Sequence, residues 1–266
     1  MSDRPELSLA GNPFGASPSF LDLVQRERPE AMPRSLTEAH ALPVAHGTTV
    51  LGLKFADGVV MVGDRRATSG NLIADAKMRK VFGADDYSAI AIAGVAGQAI
   101  ELVKLFQLEL EHYEKITGDR LSLEGKANRL AQMIRSNFPL ALQGLIVVPL
   151  FGGFDERLNE GRIFYYDATG GRWEEDDYQT TGSGGQSAKN SLKKRWRPGL
   201  TLAEGLKVAV EALIDAAEDD AATGGPDSIR RIWPNAMTVT VDGSQDVPED
   251  QVVAAVDAVL QERSAS

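Results

Sequence analysis

Thr48 stands where a proline-rich segment gives way to strand-like sequence, in the order Ala45–His46–Gly47–Thr48–Thr49–Val50. Cleavage between Gly47 and Thr48 would give Thr48 both a hydroxyl and a free α-amine. An α-amine has a reference pKa of about 7.7–8.0, so a useful fraction is neutral near pH 7. It can then take the proton of its own hydroxyl, which makes threonine a nucleophile without any histidine. Glycine at 47 leaves the scissile carbonyl sterically open, and an attached leader would keep the amine acylated and inactive. Gly-Thr-Thr is also an ordinary way to begin a strand, so the junction gains meaning only from its surroundings.

Composition narrows the alternatives. The 266 residues include no cysteine and three histidines, His40, His46 and His112. Disulfides, zinc ribbons, iron–sulfur clusters and thiol nucleophiles are thereby excluded, and the histidines are too few and too scattered for a metal centre. No metal and no cofactor is expected, and a hydrolase built from this chain needs a base other than imidazole. With 28 basic against 38 acidic residues the formal charge is −10, which disfavours nucleic acid as a partner. The longest apolar stretch, Gly144 to Phe154, is too short to span a bilayer and contains Pro149. The first 25 residues lack a basic region followed by an apolar core, so the reading is a cytoplasmic protein with no membrane partner.

Other clusters carry less chemistry. Gly182–Ser183–Gly184–Gly185–Gln186–Ser187–Ala188–Lys189 opens a predicted helix, but Ala188 precedes the lysine and Asn190 follows it, so the phosphate-loop pattern fails. Glu174–Asp177 and Glu218–Asp220 read as solvated loop and helix ends, with position 220 set apart below. His112 reads as a surface or capping residue on a helix.

The elements that must position Thr48 follow from periodicity. Residues 1–47 are dense in Pro, Ser and charge, with proline at 5, 13, 18, 29, 33 and 43 and one apolar island at Phe20–Val24. Order begins at Thr48. Strands are predicted at Thr49–Phe55 and Val59–Val62, joined by an Asp57–Gly58 turn, and at Ala89–Ala93. Helices fit Gln98–Tyr113 and Leu123–Asn137, the second stopped by Pro139. The first is apolar at Ile100, Leu102, Val103, Leu105, Phe106, Leu108 and Leu110, a band wide enough for burial on two sides, including a subunit contact. Strands at Leu145–Val148, Arg162–Tyr166 and Tyr178–Thr181 come next. Helices at Gln186–Arg195 and Leu202–Ala217, a strand at Ala236–Val241 and a helix from Glu249 to about Glu262 complete the chain. Grouped strands and helices indicate an α+β arrangement of packed sheets flanked by helices.

Several further segments occur in a fixed order: Gly63–Asp64–Arg65–Arg66–Ala67–Thr68, Lys80, Ala93–Gly94, Gly182–Ser183–Gly184 and Asp220–Ala221–Ala222–Thr223–Gly224–Gly225. Together with Gly47–Thr48–Thr49 they closely resemble proteasome β-type subunits, most of all the actinobacterial ones, from Thr48 to the C-terminus. The resemblance implies the four-layer αββα sandwich of the N-terminal nucleophile hydrolases. It implies a leader, residues 1–47, removed on maturation, and a catalytic domain, residues 48–266. Because the leader carries six acidic and four basic residues, the mature part would keep a charge of −8.

By position, Thr48 resembles the family's nucleophile, Lys80 the ammonium beside its hydroxyl, and Asp64 the carboxylate that holds Lys80. Gly94 resembles the oxyanion donor through its backbone N–H. Ser183, Asp220 and Thr223 resemble the residues around the threonine amine, with Thr223 standing where the family often has serine. Thr68, Gly94 and Ala96 match positions that pair with an extended peptide. Ala67, Met78, Ile92 and Ala96 match a side-chain pocket that is small, apolar and uncharged, which implies cleavage after apolar residues.

The implied activity is that of a self-processing threonine endopeptidase. The implied partners are identical β subunits in seven-membered rings, rings of α-type subunits, and an ATP-dependent unfoldase acting through the α ring on protein substrates. A catalytically silent structural β subunit is the main alternative. A related bacterial two-ring peptidase or an amidase of the same fold is another.

Overall fold

The computed structural model describes residues 47–265. The expected leader, apart from Gly47, lies outside these residues, as do His40 and His46. β1 (Thr49–Phe55) and β2 (Gly58–Gly63) form the hairpin that the Asp-Gly pair predicts, with Val50 opposite Gly63 and Phe55 opposite Gly58. A small ribbon of β3 (Ala67–Ser69) and β4 (Leu72–Asp75) leads to β5 (Val81–Asp85) and β6 (Ser88–Gly94). Helices α1 (Ala96–Thr117), α2 (Leu123–Ser136) and the short α3 (Phe138–Ala141) follow. Next come β7 (Val147–Asp155), β8 (Glu160–Tyr166), β9 (Arg172–Glu175) and β10 (Tyr178–Gly182). Helices α4 (Gly185–Arg195) and α5 (Leu202–Asp219), strands β11 (Asn235–Thr240) and β12 (Gly243–Asp246), and helix α6 (Glu249–Ala265) end the chain.

Two five-stranded antiparallel sheets result, ordered β10-β1-β2-β11-β12 and β5-β6-β7-β8-β9. Strand alternation supplies each sheet with two apolar faces. Leu51, Leu53, Val60 and Val62 pack on α4, α5 and α6, while Val50, Val59 and Met61 point the other way, toward the second sheet. In β6, Ile90 and Ile92 pack beneath α1 and α2, whereas Ala89, Ala91 and Ala93 face the first sheet. The three resulting cores are the three interfaces of a helix–sheet–sheet–helix sandwich. Small residues at the central interface let the sheets approach: Gly52 and Gly152 each leave no room for a Cβ beside the Met61 sulfur.

Several boundaries differ from the pattern in the sequence. Pro139 does not stop α2; that helix ends at Ser136, and Pro139 sits in the first turn of α3, where its missing N–H costs nothing. The strand expected at Leu145–Val148 is β7, which runs on through Pro149 to Asp155. Pairing with β8 starts only at Leu150, so Pro149 has a neighbouring strand on one side alone, a position where a ladder tolerates proline. The expected two-sided burial of α1 is met on one side among the described residues. Leu102, Val103, Phe106 and Leu110 are buried, but Leu105 and Leu108 are 47% and 59% exposed.

Candidate active site

The strand register delivers the site to the start of β1. On one side β10 pairs Gly182 with Thr49, so the next residue, Ser183, lies beside Thr48 and donates its N–H to the Thr48 carbonyl at 2.9 Å. On the other side β2 pairs Gly63 with Val50, so the next residue, Asp64, donates its N–H to the Thr49 carbonyl at 3.1 Å. Lys80 comes from the second sheet, at the start of β5. Its carbonyl accepts from Ile92 of β6, while its N–H donates to the Asn235 side chain at the start of β11, in the first sheet. Both sheets therefore converge where Thr48 begins.

Asp64 and Lys80 are completely buried, and the Lys80 Nζ donates to Asp64 Oδ1 at 2.6 Å. Nζ also donates to the Arg66 carbonyl at 2.5 Å. Three backbone N–H groups, from Thr49, Arg66 and Gly224, donate to the Asp64 carboxylate at 2.8–2.9 Å. With these donors around it the carboxylate is fixed in position and holds the Lys80 ammonium in place. Burial nonetheless moves the Lys80 pKa below the ordinary lysine value; the charge and hydrogen bond of Asp64 oppose that shift without cancelling it.

A second network reaches Thr48 from α5. Asp220 caps the C-terminal end of that helix, where the aligned peptide dipoles disfavour a negative charge. The start of α5 is fixed by a reciprocal hydrogen-bond pair between Thr201 and Glu204, which sets where its last residue falls. Burial raises the Asp220 pKa, but donation from the Ser183 and Thr223 hydroxyls and the Ala222 N–H, with the Lys80 charge, outweighs it, and the net shift is downward. The Thr48 N–H in turn points at the Ser183 Oγ, 3.4 Å away.

The Thr48 hydroxyl donates to the carbonyl oxygen of Gly47 at 2.6 Å. In the uncleaved chain Gly47 therefore occupies both functional groups of Thr48, its nitrogen covalently and its hydroxyl by a hydrogen bond. Gly94 ends β6 with φ +113°, and a Cβ there would lie 2.1 Å from the Ile146 carbonyl oxygen, so only glycine fits. Ala67 and Thr68 lie in β3, half-buried, and Ala96 opens α1. Ile92 is buried beneath α1, and Met78 packs against the same cluster.

Five residues of the site were not singled out in the sequence: Thr49, Arg66, Gly184, Gly224 and Asn235. Thr49, Arg66, Gly184 and Gly224 lay inside segments already noted, whereas Asn235 carries no signal readable without the fold. The remaining acidic clusters form ion pairs rather than plain solvated ends: Glu174, within β9, pairs with Arg162, and Glu218, near the end of α5, with Arg263. Among the described residues, no group of His, Asp or Glu is arranged to hold a metal ion, and no helix is long and apolar enough to cross a membrane.

Two antiparallel sheets between helical layers, with the first strand beginning at a buried lysine–carboxylate pair, define the fold of the N-terminal nucleophile hydrolases. Residues 44–232 match the family model described as proteasome subunit. Two similar curated proteins are each called proteasome subunit beta. One, from Streptomyces griseus, is 52% identical over 93% of this chain and 89% of its own length. The other, from Acidimicrobium ferrooxidans, is 50% identical over 93% of this chain and 92% of its own length. The chain belongs to the proteasome subunit family. That coverage exceeds what residues 48–266 alone could supply, so the likeness reaches into the segment before Thr48.

Proposed function

We propose that this chain is the catalytic β subunit of a proteasome core, a threonine endopeptidase that removes its own residues 1–47 and then cleaves unfolded protein. The observation that carries the reading is the fully buried Lys80–Asp64 pair, hydrogen-bonded to the backbone of Thr49, next to the proposed nucleophile. Burying an ion pair costs desolvation that a packed apolar pair would avoid, and this pair bears that cost beside Thr48, where its charge can serve the chemistry.

In maturation the Thr48 Oγ attacks the Gly47 carbonyl carbon. The C–N bond breaks, an ester forms to Oγ, and the freed amine takes a proton. Water then hydrolyses the ester, releasing residues 1–47 as a carboxylic acid and leaving Thr48 as the N-terminus. In peptide hydrolysis the neutral amine takes the Oγ proton as Oγ attacks the substrate carbonyl and returns it to the leaving amine as the C–N bond breaks. Water, deprotonated by the same amine, then cleaves the resulting ester, releasing the acid product and restoring the Thr48 hydroxyl. The Lys80 ammonium lowers the cost of the developing alkoxide, and Asp64 keeps Lys80 oriented. The Gly94 N–H donates to the oxyanion, a contribution of about 3–4 kcal/mol for donors of this kind. Ser183, Asp220 and Thr223 hold the amine. Thr68, Gly94 and Ala96 bind the extended substrate backbone, and Ala67, Met78, Ile92 and Ala96 take an apolar side chain.

The proposed setting is cytoplasmic, in β rings stacked between α-type rings and fed by an ATP-dependent unfoldase. The exposed Leu105 and Leu108 on α1 supply an apolar surface for a subunit contact. Intact-mass analysis after co-expression with the α-type partner tests the reading. The wild-type chain should begin at Thr48, and Thr48→Ala should keep its leader and hydrolyse no peptide. An unprocessed wild-type chain inside assembled, inactive particles would establish the silent subunit instead.

A further inference from the structure

Thr49, the residue after the proposed nucleophile, is fully buried and touches both networks. Its N–H donates to Asp64 Oδ1 at 2.8 Å, on the Lys80 side. Its Oγ1 accepts the Gly184 N–H at 3.0 Å and lies 2.6 Å from Thr223 Oγ1, on the Asp220 side. Proton counting fixes the direction of the last bond. A hydroxyl has one hydrogen, and that of Thr223 is given to Asp220 Oδ2 at 2.6 Å. The Thr49 hydroxyl must therefore donate to Thr223. The chain runs in one direction, from Gly184 N–H through Thr49 and Thr223 to the Asp220 carboxylate, which also receives the Ser183 hydroxyl that faces the Thr48 nitrogen.

The packing leaves this node no slack. A Cβ on Gly184 would lie 2.6 Å from Thr49 Oγ1 and 2.7 Å from Thr223 Oγ1, so the loop closes on the two hydroxyls only because residue 184 has no side chain. A hydrogen-bond donor at the head of such a chain polarises the hydroxyls after it, strengthening what reaches the carboxylate.

We propose that the Thr49 hydroxyl is a positioning residue for catalysis: it orients Thr223 on Asp220 and so fixes Ser183 against the Thr48 amine. This rests on the reading of Thr48 as nucleophile. It assigns to Thr49 a role separate from its backbone N–H, which any residue but proline would supply to Asp64.

Thr49→Val separates the two, since valine keeps the shape and the N–H but leaves the Gly184 N–H without its acceptor and the Thr223 oxygen without the donor that orients it. Thr49→Ser restores the hydroxyl. Each full-length variant is assembled with the α-type partner, its mature Thr48 sites are counted with a covalent threonine-directed inhibitor, and hydrolysis of an apolar peptide is measured per site. Thr49→Val should lower kcat per site about tenfold or more, as loss of a buried hydroxyl partner implies, with KM nearly unchanged. Thr49→Ser should return kcat to within about threefold of wild type. A Thr49→Val enzyme with wild-type kcat per site overturns the proposal, and so does a Thr49→Ser enzyme as slow as Thr49→Val. Should Thr49→Val yield no titratable sites, Thr49→Ala, which also keeps the N–H and lacks the hydroxyl, takes its place in the same comparison. A particle that keeps its activity with Thr48→Ala as its sole change would instead remove the nucleophile reading itself.

Discussion

Lys80 and Asp64 form an ion pair 2.6 Å across, and neither side chain reaches solvent. The two partners are not equally supported. Asp64 accepts three backbone N–H groups besides Lys80, whereas Lys80 has only the Arg66 carbonyl besides Asp64 among the described residues. Removing the lysine leaves a carboxylate still well hydrogen-bonded; removing the carboxylate leaves a buried ammonium with one acceptor.

Stability should follow that asymmetry. Asp64→Ala is expected to cost about 3–5 kcal/mol, the range for an orphaned buried charge, and Lys80→Met distinctly less. Urea unfolding of the two variants checks the order. Both should lose peptide hydrolysis, so equal stability losses would show that the three N–H donors do not support Asp64 as described.

The pH dependence of peptide hydrolysis carries a second expectation. Activity should rise on the acid side as the Thr48 amine loses its proton, near the reference value of about 7.7–8.0. It should fall on the alkaline side as Lys80 loses its charge, earlier than a solvent-exposed lysine would, because burial lowers its pKa. Unfolding driven by Lys80 cannot mimic that fall. A lysine whose folded pKa lies below its unfolded value of about 10.4 costs stability while it is charged in the fold. Stability therefore rises as pH passes through the folded value. A kcat profile flat to pH 10 would remove the requirement for a charged Lys80.

Much of this was legible in the sequence, for physical reasons that differ by element. β1, β2 and β6 are long, apolar and bounded by turn residues, and α2 and α5 open on the capping hydroxyls of Ser122 and Thr201, so each declares itself locally. β3, β4, β9 and β12 are three or four residues long and largely exposed, with no apolar pattern to see. Thr48, Asp64 and Lys80 were found through an ordered set of short segments, since their spacing encodes the hairpin and the crossing from one sheet to the other. Asn235 pins the backbone of Lys80 from 155 residues away, and Thr49 meets Thr223 across 174; contacts at such separations exist only once both sheets are packed.

The uncovered side of α1 yields a prediction that separates assembly from folding. Leu105→Asp with Leu108→Asp should leave the thermal transition of the isolated chain within a few degrees of wild type, because both residues are exposed. The same change should prevent entry into particles, seen by size-exclusion chromatography after mixing with the α-type partner. Leu102→Ala, at a side chain 2% exposed, should instead destabilise the chain by about 2–5 kcal/mol. Normal assembly of the double variant would mean that this face meets solvent in the particle.

The proposed maturation would depend on a close approach that sequence alone attributes only to an open carbonyl. A Cβ on Gly47 would lie 2.1 Å from the Ala222 Cβ and 2.8 Å from the Ala222 Cα and carbonyl oxygen. Any side chain at 47 must push residue 47 away from the 220–224 segment, which also carries Asp220 and Thr223, and so displace the scissile carbonyl from the Thr48 hydroxyl that now lies 2.6 Å from its oxygen. Overpacking of this kind costs about 1–3 kcal/mol, and because the strain falls on the attack geometry it should appear as processing slowed about tenfold or more. Time-resolved intact-mass analysis of Gly47→Ala measures it. Ala222→Gly in the same chain removes the nearest clashing atom but not the backbone contacts, so it should restore part of the rate and not all of it. Processing of Gly47→Ala at the wild-type rate would show that the leader's last residue is not held against Ala222 when the bond breaks.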